Sequence, residues 1–144
     1  MSGRVLIIDD EPLLAEGFKQ YLEIEGLEVF IHTSLITLPF AMKKINPDVI
    51  LLDLMMPALS GTAVFEAGAH RVLRSDAPII LFSGRGAGEL AQMAEELGAD
   101  GFLPKSIDME DAVRRIGTWI MHRRAIKNGE NLNVATRSAS ALSH

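Results

Sequence analysis

The chain has 144 residues, 48% of them hydrophobic, and no cysteine, which suggests one folded domain and excludes disulfides and thiolate metal sites. Its net charge of -5 is uneven: residues 1–111 carry 8 Lys/Arg against 18 Asp/Glu, and residues 112–144 carry 6 against 1. No apolar stretch nears the ~20 residues a membrane span needs, and no signal-peptide core follows Met1, so a cytoplasmic protein without a membrane partner is expected.

Val5-Leu6-Ile7-Ile8 reads as the first strand and is closed by Asp9-Asp10-Glu11. Pro12 suits a first helical turn, and Leu14, Phe18, Tyr21 and Leu22 recur at helical spacing, so a helix is expected over residues 12–25, stopped by Gly26. Leu27 to Ile31 is a second strand, nearer an edge. Leu38, Met42 and Ile45 fit a helix within residues 35–45, and Pro39 is tolerable only near its start. After the turn Asn46-Pro47-Asp48, the run Val49 to Leu52 is too short for a helix and reads as a buried strand ending at Asp53.

Residues 62–75 read as one helix with Val64, Phe65, Val72 and Leu73 on its apolar side, although Gly68 weakens it by about 1 kcal/mol. Ile79 to Phe82 is the fourth strand, and Ser83-Gly84-Arg85-Gly86-Ala87-Gly88 reads as a mobile loop. A helix over 89–97 ends at Gly98; Gly101 to Leu103 is the fifth strand. The last helix covers 108–126, with Met109, Val113, Ile116 and Ile120 facing the core. Residues 127–144 lack apolar periodicity, so a domain over 1–126 is expected to run into a disordered tail or linker.

Strands alternating with helices imply an α/β fold, a doubly wound parallel sheet covered on both faces. The order 2-1-3-4-5 suits five strands and sets strands 1 and 3 side by side at the switch point, where such sheets bind ligands. Asp9, Asp10 and Asp53 stand at those two strand ends. Two carboxylates ~4 Å apart repel by ~4 kcal/mol at an effective dielectric of about 20, so the trio calls for a cation or a raised pKa. Oxygen ligands alone favour a hard ion such as Mg²⁺. Ser83 ends the fourth strand and Lys105 follows the fifth. A hydroxyl, an ammonium and a Mg²⁺ are what a phosphoryl group carried on a carboxylate requires.

Ile7-Ile8-Asp9-Asp10-Glu11, Asp53-Leu54-Met55-Met56-Pro57 with Gly61, Phe82-Ser83-Gly84 and Leu97 to Lys105 together resemble the response-regulator receiver domains of two-component signalling, over roughly residues 4–126. The single-domain chemotaxis regulators, flavodoxin-like in fold, are similar. The resemblance implies a phosphorylation-switched module and not an enzyme beyond its own phosphorylation and dephosphorylation. It implies Asp53 as phosphoacceptor and Mg²⁺ held by Asp10 and Asp53, with Asp9 acting through water and the Met55 carbonyl completing the ligands. Ser83 and Lys105 would hold the phosphoryl oxygens, and Phe102 would be the aromatic switch. The phosphoryl donor would be a histidine kinase or histidine phosphotransfer protein.

The sequence departs from the family at three points. Ser106 stands where the family usually has proline after a cis bond; a cis bond before a non-proline residue costs about 2.5–4 kcal/mol, so a trans Lys105-Ser106 bond and a re-routed loop are expected. Phe102 replaces the more common tyrosine. Met55 and Arg85 occupy positions that tune dephosphorylation in the family, and a large apolar Met55 suggests slow loss of phosphate.

Other readings are weaker. A dinucleotide loop at Gly84 to Gly88 would need glycine at Glu89. An aspartyl-phosphate phosphatase would need an acid at Met55. A phosphate-independent binding module, or the receiver fragment of a longer regulator, remain as alternatives. His32, His70, His122 and His144 show no ligand spacing, and His122 reads as a surface residue. Trp119 reads either as a half-covered flank residue or as part of a patch where an output protein or a second copy docks. The acidic body makes nucleic acid an unlikely partner.

Overall fold

The computed structural model describes residues 2–55 and 61–129. The strands are β1 (Arg4–Ile8), β2 (Glu28–His32), β3 (Val49–Asp53), β4 (Ile79–Ser83) and β5 (Gly101–Pro104). The helices are α1 (Pro12–Ile24), α2 (Leu38–Ile45), α3 (Gly61–Glu66), α4 (Ala69–Val72), α5 (Ala87–Leu97) and α6 (Met109–Lys127). The five strands form one parallel sheet in the order β2-β1-β3-β4-β5. The doubly wound order expected at the switch point is therefore the order found.

Alternation along the strands divides the core between the two faces. Val5, Ile7, Leu51 and Phe82 pack with Phe18 and Leu22 of α1 and Ile116 and Trp119 of α6. Leu6, Ile8, Ile50 and Leu52 pack with Leu38, Met42 and Ile45 of α2 and with Val64 and Leu73. A smaller cluster joins Leu81 to Leu54 and to Leu90 and Ala94 of α5. Every residue of β3 and of β4 is buried, the pattern of central strands covered on both faces. β2 has one neighbour and is the half-exposed edge.

Several expectations need correction. The second strand starts one residue late, at Glu28. The single helix expected over 62–75 is two short ones, α3 and α4, parted at Gly68, whose φ of +89° no L residue adopts without strain. The weakening read at Gly68 is thus a break. α5 begins at Ala87, so only residues 84–86 of the glycine-rich stretch are loop. His122 is half-buried, with its Nδ1 sealed from solvent and without a hydrogen-bond partner among the described residues. No peptide bond among the described residues is cis, so Lys105-Ser106 is trans as expected. The Met56-Pro57 part of the turn after β3, and the tail from residue 130, lie outside the described residues.

Trp119 is neither a flank residue nor a docking patch: it is 5% exposed and belongs to the core. Gly101 makes the room, since a Cβ there would come within 2.8 Å of the indole Cζ2. Arg123 was not singled out by its sequence position. It is buried and bridges Asp48 at 3.0 Å and Asp76 at 2.7 Å, and it holds Asp76 below the usual carboxylate range. Asp48 also accepts from the Arg4 amide (2.9 Å), so the end of α6 is tied to the starts of β1, β3 and β4.

Candidate functional site

The carboxyl ends of β1 and β3 bring Asp9, Asp10 and Asp53 together, with one oxygen of each within 4.8 Å of the others. Asp9 is fully buried and Asp53 is 2% exposed. Backbone amides fix both: Glu11 N–H donates to Asp9 Oδ1 at 2.9 Å, and Met55 N–H donates to Asp53 Oδ1 at 3.0 Å. Lys105 reaches in from the end of β5, its Nζ 2.7 Å from Asp9 Oδ2 and 3.4 Å from Asp53 Oδ2. The ammonium also lies 5.3 Å from the centre of the Phe82 ring.

Ser83 is fully buried at the end of β4. Its hydroxyl accepts from the Arg85 amide at 3.3 Å, and its carbonyl accepts from the Lys105 amide at 2.7 Å. The strand ends therefore place all five polar side chains expected from sequence (Asp9, Asp10, Asp53, Ser83 and Lys105) at one edge of the sheet. Met55 is 59% exposed at the rim, with its sulfur 3.7 Å from Arg85 Nη2, and Arg85 pairs with Glu89. Phe102 is half-buried on β5 and packs with the α5 cluster. A cleft of about 1150 Å³ lies elsewhere, between α2 and residues 70–76, and holds none of these groups; chemistry and not volume marks the site.

One ammonium among three acids leaves the cleft short of positive charge. Lys105 pairs with Asp9 Oδ2 at 2.7 Å and is the one cation set against the three carboxylates among the described residues. An all-oxygen set of three carboxylates suits a hard divalent ion. Burial raises the Asp53 pKa above its ordinary value, the nearby Asp9 adds to this, and the Met55 amide and Lys105 work against it.

That shift predicts a pH dependence. The folded protein binds the Asp53 proton more tightly than the unfolded chain does. Its stabilising effect is complete below the ordinary value of 3.8 and is lost as pH rises through the raised one. Asp53→Asn is therefore expected to raise Tm in metal-free buffer at neutral pH and to flatten the pH profile on the acid side. Thermal melts in chelator across the acid to neutral range measure this; a lower Tm for Asp53→Asn at neutral pH would count against it.

Residues 5–117 match the response regulator receiver domain family, and the chain belongs to it. Such domains are signalling modules of two-component systems, fed with phosphoryl groups by histidine kinases. The chain is 31% identical over 118 residues to the DNA-binding response regulator MtrA of Mycolicibacterium smegmatis, covering 81% of this chain and 50% of that one. It is 28% identical over 134 residues to the DNA-binding dual master transcriptional regulator RpaA of Synechocystis, covering 90% and 56%. It thus spans about half the length of these curated relatives.

Among solved structures, a CheY-like receiver domain protein of Methanospirillum hungatei superposes with a TM-score of 0.70 at 27% identity, over 86% of this chain and 98% of that one. The receiver domain of the response regulator NarL of Mycobacterium tuberculosis gives 0.67 at 28%, over 83% and 97%. The flavodoxin-like fold expected from the sequence is the fold of these neighbours.

Proposed function

We propose that this receiver takes a phosphoryl group onto Asp53 from a histidine kinase or histidine phosphotransfer protein in a Mg²⁺-dependent reaction. The observation that carries the reading is the acid cluster at adjacent strand ends with Lys105 between Asp9 and Asp53. An Asp53 carboxylate oxygen attacks phosphorus, and the bond from phosphorus to the donor histidine nitrogen breaks. Asp10, Asp53 and the Met55 carbonyl would hold the ion directly and Asp9 through water, and the ion would neutralise charge on the phosphoryl oxygens.

Lys105 and the Ser83 hydroxyl supply a cation and a donor to those oxygens. The phosphoryl group adds a charge of about -1.5 to -2 to the cleft, which draws Lys105 from Asp9. Because Lys105 follows β5, that displacement reaches Phe102 on the same strand, whose ring has no hydroxyl and so acts without a hydrogen bond of its own.

The test is intact mass after incubation with acetyl phosphate. Wild type with Mg²⁺ is expected to gain one phosphoryl group, and Asp53→Asn, or wild type in chelator, none. Equal labelling of wild type and Asp53→Asn would remove Asp53 as acceptor.

Met55 and Arg85 form the rim of the cleft. We infer that they slow hydrolysis of the acyl phosphate by limiting approach of water, so Met55→Asn is expected to lose phosphate about tenfold faster, roughly 1.4 kcal/mol in barrier. Decay after removal of acetyl phosphate reads this directly, and equal half-lives would end it.

A second reading is favoured by the relatives MtrA and RpaA, DNA-binding regulators about twice the length matched here. In that setting residues 1–126 act as the regulatory domain of a longer regulator. The excess of acids in residues 1–111 argues that any nucleic-acid contact falls outside the receiver body.

A further inference from the structure

Phe102 does not sit free on its strand. Arg115 of α6 donates from Nη2 to the Phe102 carbonyl at 2.6 Å. Its guanidinium carbon lies 4.9 Å from the centre of the Phe102 ring and 5.4 Å from the Trp119 ring. One planar cation thus grips the backbone and ring of Phe102 and stacks on the lone tryptophan. Arginine suits this task because its flat fork can hydrogen bond in its plane while its face covers an aromatic ring.

Two features make the grip consequential. A phenylalanine ring has no hydroxyl to anchor it, so packing and this cation set where it rests. Phe102 also lines a groove of about 450 Å³ with Ala91, Ala94 and Ala99 and the polar Gln92, Glu95 and Asp100, so open space adjoins the ring. β5 is only four residues long. The same short segment therefore carries Phe102 under Arg115 and, one residue past its end, Lys105 against Asp9 and Asp53.

We propose that Arg115 is a positioning residue that clasps Phe102 in its resting place and so opposes the rearrangement that accompanies phosphoryl uptake at Asp53. This rests on the reading of Asp53 as acceptor. Opening the clasp breaks the bond to the Phe102 carbonyl and uncovers both rings. Removing the guanidinium removes that cost from the phosphorylated state's side of the balance.

The experiment follows initial uptake from acetyl phosphate with Mg²⁺ by intact mass, and Trp119 emission in the same samples. The proteins are wild type, Arg115→Gln, Arg115→Lys, Phe102→Leu and the Arg115→Gln/Phe102→Leu pair. Arg115→Gln is expected to take up phosphate about fivefold faster or more, the lower end of typical coupling between sites. Arg115→Lys, which keeps a cation but not the fork, should fall between. In the Phe102→Leu background Arg115→Gln should add nothing, because its effect passes through that ring. Wild-type emission should change on uptake, and that change should be lost in Arg115→Gln.

Uptake by Arg115→Gln within about twofold of wild type, or its full effect in the Phe102→Leu background, would overturn the clasp alone. Were Arg115→Gln not to fold, an Arg115→Lys protein with wild-type uptake and emission would overturn it equally. No uptake by wild type would instead overturn the acceptor reading and the clasp with it.

Discussion

Lys105→Met is expected to destabilise the metal-free protein by about 3–5 kcal/mol at neutral pH, the cost of removing one partner from a buried ion pair. The Lys105 side chain is 10% exposed and the carboxylates it faces are 0% and 3% exposed, so water cannot replace the ammonium. Methionine keeps the stem's bulk beside the Phe82 ring, which makes the loss electrostatic rather than a matter of packing. Two conditions should reduce it. Lowering the pH through the raised Asp53 pKa protonates one acid and removes the repulsion. Mg²⁺ supplies the missing positive charge. Urea unfolding with and without Mg²⁺ at several pH values measures all three effects; a Lys105→Met protein as stable as wild type in metal-free neutral buffer would show that the acids do not depend on the ammonium.

Trp119→Ala should cost a similar amount, about 3–5 kcal/mol, and act on stability rather than on association. The indole fills the space left by Gly101 and touches the cluster of Phe82, Leu103 and Ile116. Alanine leaves a cavity between α6 and the strands β4 and β5, whose hydrogen-bonded backbones cannot move in to fill it. Denaturant melts give the loss, and light scattering gives the assembly state of the folded variant. Near wild-type stability with altered assembly would instead make Trp119 a surface contact.

Much of the fold and site is legible in the sequence because few alternatives bury those residues. Val49 to Leu52 and Ile79 to Phe82 are uninterrupted apolar runs, and only central strands covered on both faces accommodate them. Once β1 and β3 are neighbours, the acids that close them must meet, so Asp9, Asp10 and Asp53 follow from topology. Ser83 and Lys105 follow from the same rule at the ends of β4 and β5.

What escaped depends on tertiary partners. Gly68 breaks a helix, although propensity alone suggests only weakening, because the backbone there turns to positive φ. Trp119 lies off the apolar stripe of α6 and is buried only because Gly101 leaves a hole opposite. Arg123 finds Asp48 and Asp76 across 75 and 47 residues of sequence, and no local pattern records such a bridge. Arg115 likewise reads as one more base on a basic helix until Phe102 and Trp119 are seen beneath it. A glycine in the fifth strand is the one signal the sequence offers, since glycine in a strand suggests a close neighbour, and Gly101 does lie against Trp119 and Ile80.

The identity of the phosphorylated side chain is read most directly by reducing the acyl phosphate with borohydride after acetyl phosphate and Mg²⁺ treatment, then locating the altered residue by peptide mass spectrometry. The alteration is expected at Asp53 alone. Finding it at Asp9 or Asp10 with Asp53 untouched would contradict the assignment of the cleft.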